Sequence, residues 1–197
     1  MAKPKEIVKL PAKVLRVHAK DVPVNEILSS RIQGLISDMK EALKNTPDGV
    51  GLAAPQVGEP LRIFIVSEEA EEIDRVGGRS QKGEFLPPHA IAEKPGKLYE
   101  ERAWKYYVFI NPVLKNNSRR KLDGPEGCLS VPGKFGNVAR HEKITVVAYD
   151  ESGKKFIRGA AKFFARVMQH ELDHLEGTLF IDKAHNVIEV KRNDNKK

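Results

Sequence analysis

Val24, Ile27, Leu28, Ile32, Leu35, Ile36, Met39 and Leu43 recur at spacings of three and four, the period of a helix that buries one face. Asp21 or Asn25 stands where a cap belongs, so the spacing predicts a helix running to about Lys44. A second apolar stripe, Phe164, Met168, Leu172 and Leu175, predicts another helix that stops near Gly177. Residues 61–67 and 106–114 are instead dense in β-branched and aromatic side chains and read as strands. Residues 144–150 and 154–161, either side of a turn at 151–153, read as an antiparallel hairpin feeding the second helix, and residues 187–190 as a short last strand. Strands lie before and after two long helices without regular alternation, so the expected class is α+β, with mainly antiparallel sheets packed around the second helix.

Two stretches resist this pattern. Residues 47–58 are too rich in Gly, Ala and Pro for a regular element, and residues 68–105 are charged, contain Gly77-Gly78 and Pro87-Pro88, and have little periodicity. The expectation is one domain over residues 1–197, with an insertion at about 68–105 and a short basic, disordered tail at about 191–197.

Composition narrows the classes. A chain of 197 residues can bury one sizeable core, and no 20-residue apolar run is present to span a membrane. The N-terminus has neither a long apolar segment nor an Arg-rich and Ser-rich transit pattern, so a cytoplasmic location is expected. Cys128 is the only cysteine, which excludes an internal disulfide. A net charge of +7 favours loose association with polyanions such as RNA but does not point to sequence-specific nucleic-acid binding.

The chemistry concentrates at Gln169-His170-Glu171-Leu172-Asp173-His174. Histidines four apart share a helical face, so His170 and His174 can converge on one cation, and Glu171 beside them can take a proton from water. The match is short enough to arise by chance in a charged helix. Two histidines also leave a metal site incomplete. Cys128, in Pro125-Glu126-Gly127-Cys128-Leu129-Ser130, is the best third ligand, although a lone cysteine is more often a small buried hydrophobe.

Three stretches together resemble the peptide deformylases, which remove the formyl group from the N-formylmethionine of new polypeptides. They are Gly49-Val50-Gly51-Leu52-Ala53-Ala54-Pro55-Gln56, Glu126-Gly127-Cys128-Leu129-Ser130, and Gln169-His170-Glu171-Leu172-Asp173-His174, in the family's order. The resemblance implies that Cys128, His170 and His174 bind one divalent ion, Fe(II) in the cell, with Zn, Ni or Co accepted in purified protein. The ion would bring the pKa of its water toward ~7, and Glu171 would carry the proton to the leaving amine. Gln56 and the backbone amide of Leu129 would steady the oxyanion. Val50 and Gly51 would contact the peptide, Gly51 through its main chain.

Further assignments follow from the same resemblance. Glu126 and Arg140 are expected to form an ion pair that fixes the Cys128 loop. Phe163 and Val167 share the histidine face and are expected to wall the methionine pocket. Arg166 is less expected, because many bacterial members carry an apolar residue there, whereas the organellar type in eukaryotes carries arginine. Gln169 and Asp173 are read either as orienting the ligands or as exposed helix polar groups, and His18, His89, His141 and His185 as surface or packing residues. Expected partners are N-formylmethionyl peptides and the ribosome near the nascent-chain exit, with no membrane. Two other classes compete: a metal-dependent peptidase cutting internal bonds, and a basic ribosome-associated module whose metal is structural.

Overall fold

The computed structural model describes residues 5–46, 49–75 and 105–190. Its centre is a five-stranded antiparallel sheet in the order β1-β2-β3-β8-β9, formed by β1 (Gly51–Ala53), β2 (Ile63–Ser67), β3 (Tyr106–Asn117), β8 (Lys143–Tyr149) and β9 (Lys155–Ala161). Both faces of its inner strands are covered. Ile63, Ile65, Val108 and Ile110 pack under helix α1 (Ser30–Lys44), while Phe64, Val66, Phe109 and Val146 pack under the second long helix, Lys162–Leu175, here α3. Burial on both sides is why Ile63-Phe64-Ile65-Val66 reads as an unbroken apolar run instead of an alternating one. The antiparallel α+β expectation therefore holds, with α3 lying on the sheet as expected. Phe164, Met168 and Leu175 belong to the core beneath it, with half-buried Leu172 packed alongside.

A smaller sheet, β10-β6-β5, is built from β5 (Pro125–Cys128), β6 (Val131–Asn137) and β10 (His185–Glu189), and a two-stranded ladder joins β4 (Lys121–Leu122) to β7 (Arg140–His141). Val131, Val138, Leu179 and Phe180 form its core, with Cys128 packed against them. No helix among the described residues is long and apolar enough to cross a membrane.

Three local expectations need correction. The first helix begins at Ser30, capped by Ser29, whose hydroxyl accepts from Ile32 N at 3.4 Å. Residues Val24–Glu26 form a separate 3-10 turn after Pro23, and Val24 and Leu28 are exposed, so neither Asp21 nor Asn25 caps the helix. The Gly-rich stretch is also not irregular throughout, because Gly51–Ala53 pair with β2 and Ala54–Val57 make a 3-10 turn. Finally, most of the expected insertion and the tail at 191–197 fall outside the described residues, but Glu69–Arg75 form a helix, α2, whose Ala70 and Ile73 enter the core. Two apolar positions in seven residues are too few to raise a periodic signal above the acidic ones.

Helix α2 also completes α3. The residue before α3, Ala161, offers no side-chain acceptor, and Asp74 of α2 supplies one in its place, accepting from Phe163 N at 3.3 Å and Phe164 N at 3.2 Å. Asp74→Ala should therefore lower stability by about 1 kcal/mol, the usual cost of a lost cap. A urea midpoint equal to wild type would show that the cap contributes nothing.

Candidate active site

The β5–β6 hairpin turns at Leu129-Ser130, with Cys128 paired to Val131, so the thiol stands at the tip of β5. Helix α3 brings His170 and His174 up to it from below. The three ligand atoms all lie within 4.8 Å of one another, and Cys128 Sγ is 3.2 Å from His174 Nε2. On the other side of His170, Nδ1 meets Glu126 Oε2 at 2.9 Å, which assigns the ring proton to that nitrogen and leaves Nε2 as the donor. A thiolate and two imidazoles converging in this way are a soft donor set that fits a divalent transition ion, and three protein ligands leave a position for water or substrate.

Glu171 is nearly fully buried beside this cluster, and its Oε2 has no hydrogen-bond partner among the described residues. Burial pushes its carboxyl up to about 7, against the lowering effect of His170. The carboxylate faces β1: a Cβ built on Gly51 would lie 2.4 Å from Glu171 Oε1 and 2.9 Å from Val167 Cγ1. Only glycine fits there. Burial likewise pulls His174 well below its ordinary value, whereas Cys128 and Glu126 raise His170 despite its burial.

A buried polar network surrounds His170. Arg140 grips Glu126 with two bonds, Nε to Oε1 at 2.8 Å and Nη2 to Oε2 at 2.9 Å, and gives Nη1 to Asp173 at 2.6 Å. Arg166 adds a third bond to Glu126 Oε1 at 2.9 Å. Burial alone would raise Glu126, but hydrogen bonds from Arg140 and His170 hold its carboxyl well below the usual range. Burial opposes the charge on Arg140 as well, and Glu126 and Asp173 more than offset it.

Gln56 is fixed from both ends. Its Oε1 accepts from Ala53 N at 2.8 Å, and its Nε2 donates to Ser130 Oγ at 3.2 Å and lies 3.6 Å from Cys128 Sγ. The backbone carbonyl of the same residue takes Val8 N at 2.8 Å, so the N-terminal segment braces it. A cavity of about 390 Å³ opens beside these groups. Its wall includes Val50, Gly51, Gln56, Glu126, Cys128, Leu129, Phe163, Arg166, Val167, His170 and Glu171. β1 and β5 are edge strands of their sheets, and both border it.

Every site residue expected from the sequence thus gathers around one cavity, with Arg140 and His174 behind the wall. Gln169 and Asp173 are not exposed, and Asp173 joins the network behind His170 through Arg140. Gln169 is buried and clamps His141 through both its backbone N and O, while half-buried Asp173 pairs with Arg140 and with Lys183 at 2.5 Å. His141 is held by Ser118 O and Asn117, His18 pairs with Glu176, and His185 pairs with Asp123; His89 lies outside the described residues. Sequence reasoning missed Ser130, buried and bonded to Gln56, whose only signal is its place in Glu-Gly-Cys-Leu-Ser. It also missed the grip of Arg166 on Glu126, which no spacing announces.

Comparison with known proteins supports a single family. The family model for polypeptide deformylase matches residues 4–189. Peptide deformylase 1A, chloroplastic/mitochondrial, of Arabidopsis thaliana is 40% identical over 178 residues, which cover 90% of this chain and 60% of that protein. A peptide deformylase of Symbiobacterium thermophilum is 40% identical over 182 residues, covering 92% and 67% of the two chains. The chain spans about three fifths of the length of the plant relatives, 60% and 58%. Among solved structures, the Met-Ala-Ser-bound class I type b peptide deformylase from Acinetobacter baumannii superposes with a TM-score of 0.72 at 29% identity, covering 93% of this chain and 99% of that one. A peptide deformylase from Legionella pneumophila gives 0.70 at 31% identity, covering 93% and 88%.

Proposed function

The chain belongs to the polypeptide deformylase family, and on that premise we propose that it hydrolyses the N-formyl group of formylmethionyl peptides, releasing formate. The observation that carries this reading is the convergence of Cys128, His170 and His174 beside a buried Glu171 that faces the open edge of β1. Cys128, His170 and His174 hold the ion, for which we propose Fe(II), with Zn(II), Ni(II) and Co(II) as substitutes the same donors accept. When bound, the ion supplies a Lewis acid that polarises the formyl oxygen and makes water acidic enough to react at neutral pH.

The chain's own residues do the rest. The peptide lies extended between the edges of β1 and β5, taking main-chain hydrogen bonds from Gly51 and contacts from Val50. Its first side chain enters the cavity against Phe163 and Val167. Arg166 does not charge that pocket, because its guanidinium is already taken up by Glu126 and backbone carbonyls and its stem is apolar. Glu171 removes the proton of the attacking water as the oxygen adds to the formyl carbon. The Leu129 amide and Gln56 Nε2 donate to the oxyanion, each such donor worth about 2.7–4 kcal/mol of barrier. Collapse breaks the C–N bond, formate leaves, and Glu171 returns the proton to the amine.

We extend the proposal to the setting: one catalytic domain, working in the cytoplasm on chains leaving the ribosome, where its positive charge is an advantage. The competing peptidase reading predicts internal cleavage. Incubation with formyl-Met-Ala-Ser should release formate and leave Met-Ala-Ser whole, and fragments of the tripeptide would sink the deformylase reading.

Gly51→Ala tests the geometry. The added methyl meets Glu171 and Val167, so the carboxylate must shift, and a displacement on the order of 1 Å costs roughly 100-fold in rate. Wild-type turnover in this variant would mean that Glu171 is not held where the mechanism needs it.

A further inference from the structure

Arg166 is a charged side chain in the wall of a cavity expected to take an apolar side chain. It sits one turn before His170 on α3 and is 5% exposed. Its Nη1 donates to Glu126 Oε1 at 2.9 Å, Val138 O at 2.8 Å and Gly124 O at 3.1 Å, and its Nη2 donates to Leu122 O at 2.7 Å. Those carbonyls lie at the end of β4, just before β5, and between β6 and β7. A single guanidinium therefore ties the two chain segments flanking the Cys128 hairpin to the helix that carries both histidines. The backbone closes tightly on the fork, since a Cβ on Gly124 would lie 3.0 Å from Nη2.

Arg140 already neutralises Glu126, so charge balance alone gives Arg166 no purpose there. Its distinct contribution is direction. Arg140 spans both oxygens of the carboxylate, whereas Arg166 bonds only Oε1, the oxygen away from His170. With one oxygen held by two guanidinium groups, the plane of the carboxylate is fixed and its other oxygen stays aimed at His170 Nδ1. We propose that Arg166 is a positioning residue that acts through Glu126 on His170, locking the imidazole so that Nε2 is the ligating nitrogen and slowing escape of the ion. The effect on metal retention is independent of the reaction; only its effect on turnover rests on the deformylase reading.

The test uses the full chain loaded with Co(II), in wild type, Arg166→Met and Arg166→Lys. Methionine keeps an apolar stem without donors, and lysine keeps the charge but cannot serve four acceptors across the same fork. Loss of a partner that orients a ligating histidine typically costs 10- to 100-fold in metal affinity. Arg166 acts one bond further out, through Glu126, so Co(II) transfer to excess chelator is expected to be roughly 10-fold faster from Arg166→Met, the lower end of that range, with a shifted Co(II) visible spectrum. Arg166→Lys is expected to fall between, and kcat for formyl-Met-Ala-Ser to drop more than KM rises. Wild-type transfer rate and spectrum in folded Arg166→Met overturn the proposal; if that variant does not fold, the same result in Arg166→Lys overturns it. Fast Co(II) loss from the variant, with no formate from wild type, removes the deformylase reading and supports this one.

Discussion

Glu171→Gln is expected to keep its ion and lose at least about 10²- to 10⁴-fold in formate release, the usual range for one acid–base group. The loss should reach or exceed the upper end, because one carboxylate serves both proton transfers. Glutamine preserves shape and fills the same space between α3 and β1, so packing against Gly51 and Val167 is unchanged. It also suits the burial. The wild-type side chain is nearly fully enclosed with an oxygen that has no partner among the described residues, an arrangement that costs stability and is kept only where the group has work to do. Glu171→Gln should consequently be no less stable than wild type in urea. Turnover within a few-fold of wild type, with full metal content, would remove Glu171 from the mechanism and favour a structural metal.

Arg140→Leu is expected to produce the largest change in stability. It removes two bonds to Glu126 and one to Asp173, all among buried or half-buried groups, and among the described residues leaves the Glu126 carboxylate paired with Arg166. Breaking a buried pair from one side costs about 3–5 kcal/mol, and with Arg166 in place the lower end applies. The pH dependence has a definite sign. The folded state holds the Glu126 carboxyl below its ordinary range. The stability this contributes is therefore complete above the unfolded-state value of about 4.3 and is lost as the pH falls through the lowered folded value. The gap between wild type and Arg140→Leu in metal-free protein should be constant near neutrality and narrow below about pH 4. Urea unfolding at pH 7 that differs by less than about 1 kcal/mol would show that Arg166 alone neutralises the site. The variant should also retain its ion poorly, since Glu126 orients His170.

Much of this site was legible in the sequence because its parts are local. His170, Glu171 and His174 follow from one helical turn, and Cys128 and Leu129 were legible through the short motif that resembles the family's. The strands of the large sheet were legible for the same reason, as Ile63 to Val66 and Tyr107 to Ile110 carry their β-preference in their own side chains. What sequence could not reveal depends on contacts between distant segments. The fork of Arg166 reaches carbonyls at 122, 124 and 138, and backbone acceptors leave no mark on residue type. Strand β1 is only three residues long and owes its existence to pairing with β2, so Gly51-Leu52-Ala53 looks like loop. Asp74 capping α3 joins residues 89 and 90 positions apart, and nothing near Ala161 signals that its cap comes from elsewhere. The early end of α1's apolar stripe misled because Val24 and Leu28 fit a helical period without being in the helix.

The central claim is that the Cys128, His170 and His174 cluster with Glu171 forms a deformylating centre. Its most direct test is formate release from formyl-Met-Ala-Ser by protein prepared anaerobically with Fe(II), with bound iron measured in the same samples of wild type and Glu171→Ala. The account predicts stoichiometric iron in both, formate from wild type, and none above background from the variant. Bound iron without formate from wild type, or equal formate from both, would contradict it.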